Sequence, residues 1–165
     1  MRYEFSGAYP GQKVCLTFDE REFVEPGYVL VFAFWQGQLL LTRHQRRGWE
    51  VPGGTREAQE WPIQTAVREV YEETGAELAA IEPLGQYAIE LDGTPPFVKT
   101  IYVARIARMH AIPAGFETEE AKLFAEPPSV EEVRAGAEFS PILKDEVYPL
   151  ALERVLKHRF AQVEK

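Results

Sequence analysis

Cysteine is nearly absent from this chain: Cys15 is the single thiol in 165 residues. An internal disulfide is therefore excluded, and a reducing cytoplasm is the simplest setting. Cys15 itself reads as core packing in a short strand. The amino-terminal region lacks an apolar run long enough for a signal peptide or a membrane span, so no membrane partner is expected. Basic residues are in deficit, with 18 Lys and Arg against 26 Asp and Glu, a formal charge of −8 at pH 7. That balance argues against broad electrostatic binding to nucleic acid. It leaves room for a small polyanion held by a metal and a local basic patch. Repeats, low-complexity runs and linkers are also missing, so residues 1–165 are expected to form one domain, as a monomer or homodimer.

The elements can be read in order. Residues 1–25 form an amino-terminal extension with a strand at Val14 to Phe18. Tyr28 to Trp35 is a nearly continuous run of β-formers, as expected for a strand covered on both faces. Gly37 marks a hairpin, and Leu39 to Thr42 returns as its partner. Trp49 to Val51 is a short strand leading into Pro52-Gly53-Gly54, where glycine permits close backbone approach and positive φ. Leu84 to Leu91 and Phe97 to Ile106 read as strands joined by a turn-rich connection, and Ala121 to Phe124 as a further short one. Tyr87, Phe97 and Tyr102 read as core, with the alternative that one stacks on a base. Ser129 can cap a helical turn through Arg134. The closing segment, Ser140 to about His158, has apolar residues at helical spacing, with a kink expected at Pro149.

The chain is organised around residues 54–76. Pro62 suits a first helical turn and Gly75 a left-handed cap, which predicts a helix over 62–74. Ile63, Ala66, Val67, Val70 and Thr74 recur at three- and four-residue steps and share one face. Glu69, Glu72 and Glu73 fall within an arc of about 100° on another face, opposite that core. Arg68 can pair with Glu72, but one cation cannot serve three anions. Like charges at i,i+4 cost a helix about 0.2–0.5 kcal/mol. A solvated acidic face is one reading. The other is a site for a hard divalent cation, Mg²⁺ or Mn²⁺, which reverses the penalty. Two flanking segments add candidates. Arg43, Arg46 and Arg47 concentrate positive charge before the glycines, as a solvated loop or as a phosphate clamp. Glu117 and Glu120 lie in a second acidic group.

The stretch resembles the Nudix hydrolase signature. Gly54, Glu60, Arg68, Glu69, Val70, Glu72, Glu73 and Gly75 all match without a gap, and Trp49-Glu50-Val51-Pro52-Gly53-Gly54 is similar to the usual lead-in. Seven fixed positions coincide by chance on the order of 10⁻⁹ per register at average residue frequencies. Ala76, smaller than the usual aliphatic residue, is the departure. The resemblance implies an α/β/α sandwich with a mixed sheet between helices. It also implies Mg²⁺ bound by Glu69, Glu72 and Glu73 near the Gly53 carbonyl, with Glu117 as a further ligand. Glu69 or a carboxylate of the 117–120 segment, Glu120 included, would act as base, and Arg68 would orient the box through Glu72 or Glu60.

Beyond the box, the chain is similar to MutT-like nucleoside triphosphatases of the YtkD type. Val14 to Asp19, His44 with Arg47 to Gly54, Leu84 to Tyr87, Phe116 to Thr118 and Leu143 to Asp145 carry that likeness. It implies cleavage of a nucleoside di- or triphosphate, with release of pyrophosphate from the triphosphate. Oxidised guanine nucleotides such as 8-oxo-dGTP are among the implied substrates. The alternatives are a hydrolase of ADP-ribose, dinucleoside polyphosphates or RNA 5′ ends, a non-catalytic nucleotide-binding regulator, and an isomerase on the same scaffold. The last would need a proton-transfer pair that the sequence does not offer.

Overall fold

Large side chains at Tyr28, Leu30, Phe32 and Phe34 alternate with smaller apolar ones at Val29, Val31 and Ala33 along Tyr28–Trp35 (β3), so both faces of the strand are apolar and both must be covered. The computed structural model, which describes residues 2–164, covers both. Leu30, Phe32 and Phe34 enter one core cluster, while Val29, Val31 and Ala33 enter another on the opposite face. The first cluster packs against Val147, Tyr148, Ala151 and Val155 of the carboxy-terminal helix Val147–Val155 (α3). The second packs against Ala66 and Val70 of the helix Pro62–Thr74 (α1). The architecture is the expected α/β/α sandwich.

Among the described residues nine strands form one mixed sheet. The others are Arg2–Ser6 (β1), Lys13–Thr17 (β2), Gln38–His44 (β4), Gly48–Glu50 (β5), Gly53–Thr55 (β6), Ala76–Glu90 (β7), Phe97–Met109 (β8) and Thr118–Phe124 (β9). The order is β1-β2-β7-β8-β3-β4-β5, with β6 paired to β3 and β9 to β4. β3 runs parallel to β8 and antiparallel to both β4 and β6, whose pairings occupy its two ends. Two strands on one edge of β3 leave a split, and the glycines of β6 lie at it. The amino-terminal extension continues the sheet through β2 on β7, and its β1 was not evident in the sequence pattern. Cys15 is half-buried rather than core. Among the described residues no helix is long and apolar enough to cross a membrane.

α1 has the expected limits. Gln64 Oε1 accepts the Trp61 N–H at 2.8 Å at its start, and Gly75 closes it at φ +77. A Cβ at Gly75 would lie 2.2 Å from the His110 carbonyl oxygen, so glycine is required for space as well as for conformation. The buried arc differs from the expectation. Thr65, Ala66, Val70 and Thr74 are buried, whereas Ile63 and Val67 are 43% and 45% exposed. At roughly 100° per residue the buried arc is centred between Ala66 and Glu73. Glu69 and Glu73 thus lie at the helix–sheet contact, not opposite it, because glycine-rich β6 leaves room for carboxylates there.

Two further differences concern the carboxy-terminal half. A short helix, Val130–Ala135 (α2), is capped by Ser129 Oγ as expected. The segment after Ser140 divides at Asp145 and not at Pro149: a 3-10 turn spans Pro141–Lys144 and α3 follows. Pro149 occupies the first turn of α3, where its missing N–H costs nothing.

The roll of α1 is testable by paired truncations. Val70→Ala should lower the urea-derived unfolding free energy by roughly 2 kcal/mol, as buried truncations do. Val67→Ala should stay within about 0.5 kcal/mol, as exposed ones do. Equal losses would contradict the observed roll.

Candidate active site

Glycine at 53 and 54 is set by proximity. A Cβ on Gly53 would lie 2.2 Å from the Val29 carbonyl oxygen, and one on Gly54 would lie 2.4 Å from the Glu69 carboxyl group. Neither has the positive φ that the sequence allowed. The close contact brings β6 against the first half of the acidic helix arc. Glu69, Glu72 and Glu73 then line one cavity of about 260 Å³ with Gly53, His44, Arg47 and Glu117.

Arg68 organises the carboxylates. Its Nε and Nη2 donate to the two oxygens of Glu60 at 2.7 and 3.1 Å. Nη2 also donates to the Thr55 carbonyl at 3.0 Å. Nη1 reaches Glu69 at 3.1 Å and Glu72 at 3.3 Å. Arg68 therefore engages both Glu60 and Glu72. Glu60 also accepts from Thr65 Oγ1 and the Glu57 N–H. The guanidinium of Arg68 first, then these donors, hold the Glu60 carboxyl down to about 2.

Glu73 lies at the other extreme. Its Oε1 accepts the Gly53 N–H at 2.9 Å, and no cation pairs with it among the described residues. Burial is the main cause that pushes its carboxyl up to about 9, with Glu69 and Glu50 adding repulsion. Burial likewise raises the Glu69 carboxyl, against the pull of Arg68.

The flanking candidates separate cleanly. Glu117 faces the cavity, and its Oε2 lies 2.9 Å from His44 Nε2. His44 Nδ1 accepts the backbone N–H groups of Arg46 and Arg47 at 3.1 and 3.2 Å, so the ring proton sits on Nε2 and is donated to Glu117. The His44 bond holds the Glu117 carboxyl below its ordinary range. Glu120 is not brought to the other carboxylates. It pairs with Arg43 across β4 and β9 at 3.2 Å, and a bulge between Arg43 and His44 sets that register. Arg43 is thereby removed from the cavity as well: it is held by Glu119 and Glu120 and lies over the Trp49 ring. Strand alternation turns Arg43 and His44 to opposite faces.

Arg46 lines an adjoining hollow that shares His44 and Arg47 with the acidic cavity and includes Glu119 and Glu138. Of the three arginines only Arg47 reaches the acidic cavity. It is braced by Nε and Nη2 bonds of 3.1 and 2.9 Å to buried Glu50. His44, Phe116 and Thr118 are cavity residues that the box pattern did not single out as a site. Their signal was the alternation of His44 with Arg43, which is readable only once the β4–β9 register is known.

The donor set suits a hard cation: carboxylates of Glu69, Glu72, Glu73 and Glu117 and the Gly53 backbone, with Arg68 and Arg47 as the adjoining arginines. The side chains have not converged on one point, and no group of three acidic, His or Cys side chains among the described residues stands at ligand spacing. The reason is visible in the bonds above. Arg68 spreads Glu69 and Glu72, and Glu73 turns to Gly53. The chemistry fits a divalent cation, and a bound cation would displace Arg68 Nη1 from two carboxylates.

The NUDIX domain model matches residues 26–144. The chain belongs to the Nudix hydrolase family. Members act on small nucleotide substrates and generally need a divalent metal. A Bacillus subtilis (strain 168) protein provisionally named 8-oxo-dGTP diphosphatase YtkD is 40% identical over 93% of this chain and 95% of its own length. The crystal structure of the Bacillus subtilis pyrophosphohydrolase BsRppH is 38% identical, with a TM-score of 0.88 over 97% of this chain and 99% of that one. The Nudix domain of Shewanella oneidensis NrtR, solved with ADP ribose, shares the fold at a TM-score of 0.59 and 19% identity, over 84% of this chain and 94% of that one.

The pH dependence of stability follows from Glu73. Its carboxyl titrates near 4.3 when unfolded and at about 9 when folded. Between those values the folded chain binds a proton that the unfolded chain has lost, so stability falls as pH rises. Glu60 acts oppositely: its contribution is present above its unfolded pKa and is lost as pH falls toward 2. Glu73→Gln keeps an acceptor for the Gly53 N–H. In metal-free protein it should raise the melting temperature at pH 8.5 and flatten its decline from pH 5.5. A variant curve parallel to the parent's would show that Glu73 is not held protonated.

Proposed function

We propose that this Nudix hydrolase converts nucleoside triphosphates and water to the monophosphate and pyrophosphate, with Mg²⁺ (or Mn²⁺) as its cation. Oxidised guanine nucleotides such as 8-oxo-dGTP are included, in keeping with the name of the Bacillus relative. The observation that carries this reading is a continuous groove. The acidic cavity and the adjoining hollow share Arg47 and Gly53, and that hollow runs past Tyr28 to Lys99. Phosphates thus have carboxylates and Arg47 at one end, and past Lys99 a further hollow of about 240 Å³, lined by Tyr28, Tyr87 and Phe97, adjoins the other. A reducing cytoplasm, where such nucleotides occur, suits the free thiol.

The divalent cation supplies charge neutralisation of phosphate oxygens and a more acidic water. The chain's own groups supply the rest. Glu69, Glu72 and Glu73 hold the cation, with the Gly53 carbonyl as a further oxygen. Arg47, pre-ordered by Glu50, positions the phosphate chain. Glu117 is placed to accept a proton from water, since its Oε2 is oriented by His44 and the side chain is open to the cavity. Arg68 keeps Glu60 and the end of β6 in place through Nε and Nη2 and does not touch substrate.

A second reading, a triphosphorylated RNA 5′ end, is favoured by one observation. Arg46 has no ion-pair partner among the described residues and lines a hollow of about 210 Å³ beside Arg47. A following phosphate could lie there.

One assay of pyrophosphate release over ordinary and oxidised nucleoside triphosphates, ADP-ribose and a triphosphorylated oligonucleotide separates these readings. Turnover should require Mg²⁺ or Mn²⁺ and vanish in chelator. Glu72→Gln should reduce kcat by roughly 10² or more, if one ligand contributes a few kcal/mol in the transition state. Full activity in excess chelator, or no release from any nucleoside triphosphate, would overturn the proposal. A marked preference for the oligonucleotide would favour the second reading.

A further inference from the structure

The apolar arc of α1 is wider than its contact with the sheet. Ala66, Val70 and Thr74 are buried, while Ile63, Val67 and Tyr71 stay exposed beside them. Trp61, just before the first turn, is 69% exposed. Gln64 is the other exposed residue between 61 and 74, so the outer face of this helix carries no charge. Its charged side chains, Arg68, Glu69, Glu72 and Glu73, are held at the box instead. A surface helix ordinarily turns its charges to solvent and its apolar stripe to the core. Here an apolar ridge is left outside, on a chain of net charge −8.

The sheet beside the ridge is thinly covered. Among the described residues α1 is the one helix that enters the second core cluster, whereas α2 and α3 pack on the first. A helix about 10–12 Å across covers about two strands set about 4.8 Å apart. Leu78 and Ile81 of β7 pack against the second cluster and are only half-buried. A second helix laid beside α1 would complete that layer.

We infer that the outer face of α1 is a homodimer interface, in which α1 of a second copy crosses it antiparallel with Val67 on the two-fold axis. Ile63, Val67 and Tyr71 are spaced four apart and so form one ridge along the helix. The commonest helix crossing, near −50°, interdigitates ridges of this kind from both helices. A second copy presents the same ridge, and a two-fold axis at Val67 sets Ile63 of each copy against Tyr71 of the other. Charge also matches end to end. Exposed Glu57 stands before the amino-terminal end of α1. At the other end the Tyr71 ring meets His110 edge-on at 6.3 Å, and exposed Arg108 lies two residues before it. An antiparallel crossing brings the Glu57 end of one copy toward the Arg108 end of the other, with the helix dipoles opposed. With roughly 150–250 Å² for an aromatic side chain, Trp61, Tyr71, Ile63 and Val67 together expose about 400 Å². A standard interface buries about 800 Å² on each partner, somewhat more than half of it apolar. The ridge supplies most of that apolar share. This inference goes beyond the nucleotide reading and does not rest on it.

Sedimentation equilibrium of the full chain over a range of concentrations is the test. The mass should rise from one chain toward two, with a Kd of roughly 10–100 µM for an interface at the low end of the standard size. Val67→Glu and Val67→Lys each set two like charges against one another at the two-fold axis, and each should weaken the dimer roughly tenfold or more. Position 67 is exposed within the chain, so both variants should keep the circular dichroism and melting temperature of the parent. Mixing them should restore the dimer, because only across this axis does residue 67 face itself. Val24→Glu, exposed away from α1, should leave the parent's association unchanged. A parent that stays at one chain up to about 1 mM would overturn the inference, since even its weakest expected affinity would then be absent. Undiminished association of both variants at position 67, or no recovery on mixing them, would overturn it as well.

Discussion

The carboxylates of Glu57, Glu60, Glu69 and Glu72 lie within 3.6 Å of one guanidinium, that of Arg68, and the placement of everything around the cavity depends on that arrangement. Arg68 also donates to the Thr55 carbonyl, the last residue of β6. One side chain thus ties the strand bearing the glycines, the loop bearing Glu60 and the helix bearing Glu69 and Glu72. The planar five-donor fork of arginine makes this possible; a lysine ammonium could not span the same set.

That tie needs a rigid frame, and β3 supplies it. The two faces of β3 enter separate cores, so α1 and α3 are fixed to opposite sides of the same strand. Its pairing with β6 places Gly53 opposite Leu30 and Gly54 opposite Val29. A helix that carries carboxylates into a helix–sheet contact is destabilised by them, as the inward position of Glu73 shows. The glycines make the contact close enough for hydrogen bonding to Glu73, and Arg68 limits the repulsion among the rest. The local cost is concentrated where charge is needed for binding, while the surrounding cores are ordinary.

Much of this was legible in the sequence. The limits of α1 followed from Pro62 and Gly75, because each acts through its own backbone. β3 followed from its composition, because a strand covered on both faces needs no partner to be recognised. The roll of α1 was not legible: Ile63 and Val67 are as apolar as Val70, and only the position of β6 decides which of them is buried. Glu117 and Glu120 could not be separated either. They differ through a bulge in β9 pairing, which has no local sequence signature. The same holds for Arg43 and Arg47, since each arginine is claimed by carboxylates close in space and only partly close in sequence. The aromatic hollow was legible only in part: Tyr87 and Phe97 read as core with the alternative that one stacks on a base, but Tyr28, Tyr87 and Phe97 come from three strands that only the sheet pairing brings together.

The central claim is that the cavity holds its carboxylates in a metal-free arrangement, protonated at Glu73 and spanned by Arg68, which a divalent cation must displace. Proton release on metal binding tests it most directly. Calorimetric titration of Mn²⁺ at pH 7 in two buffers of different ionisation enthalpy counts the protons. About one proton released per site is the expected result, because the group held up to about 9 must ionise to bind. Binding with no proton released would contradict the account, since Glu73 would then already be ionised or would play no part in holding the cation.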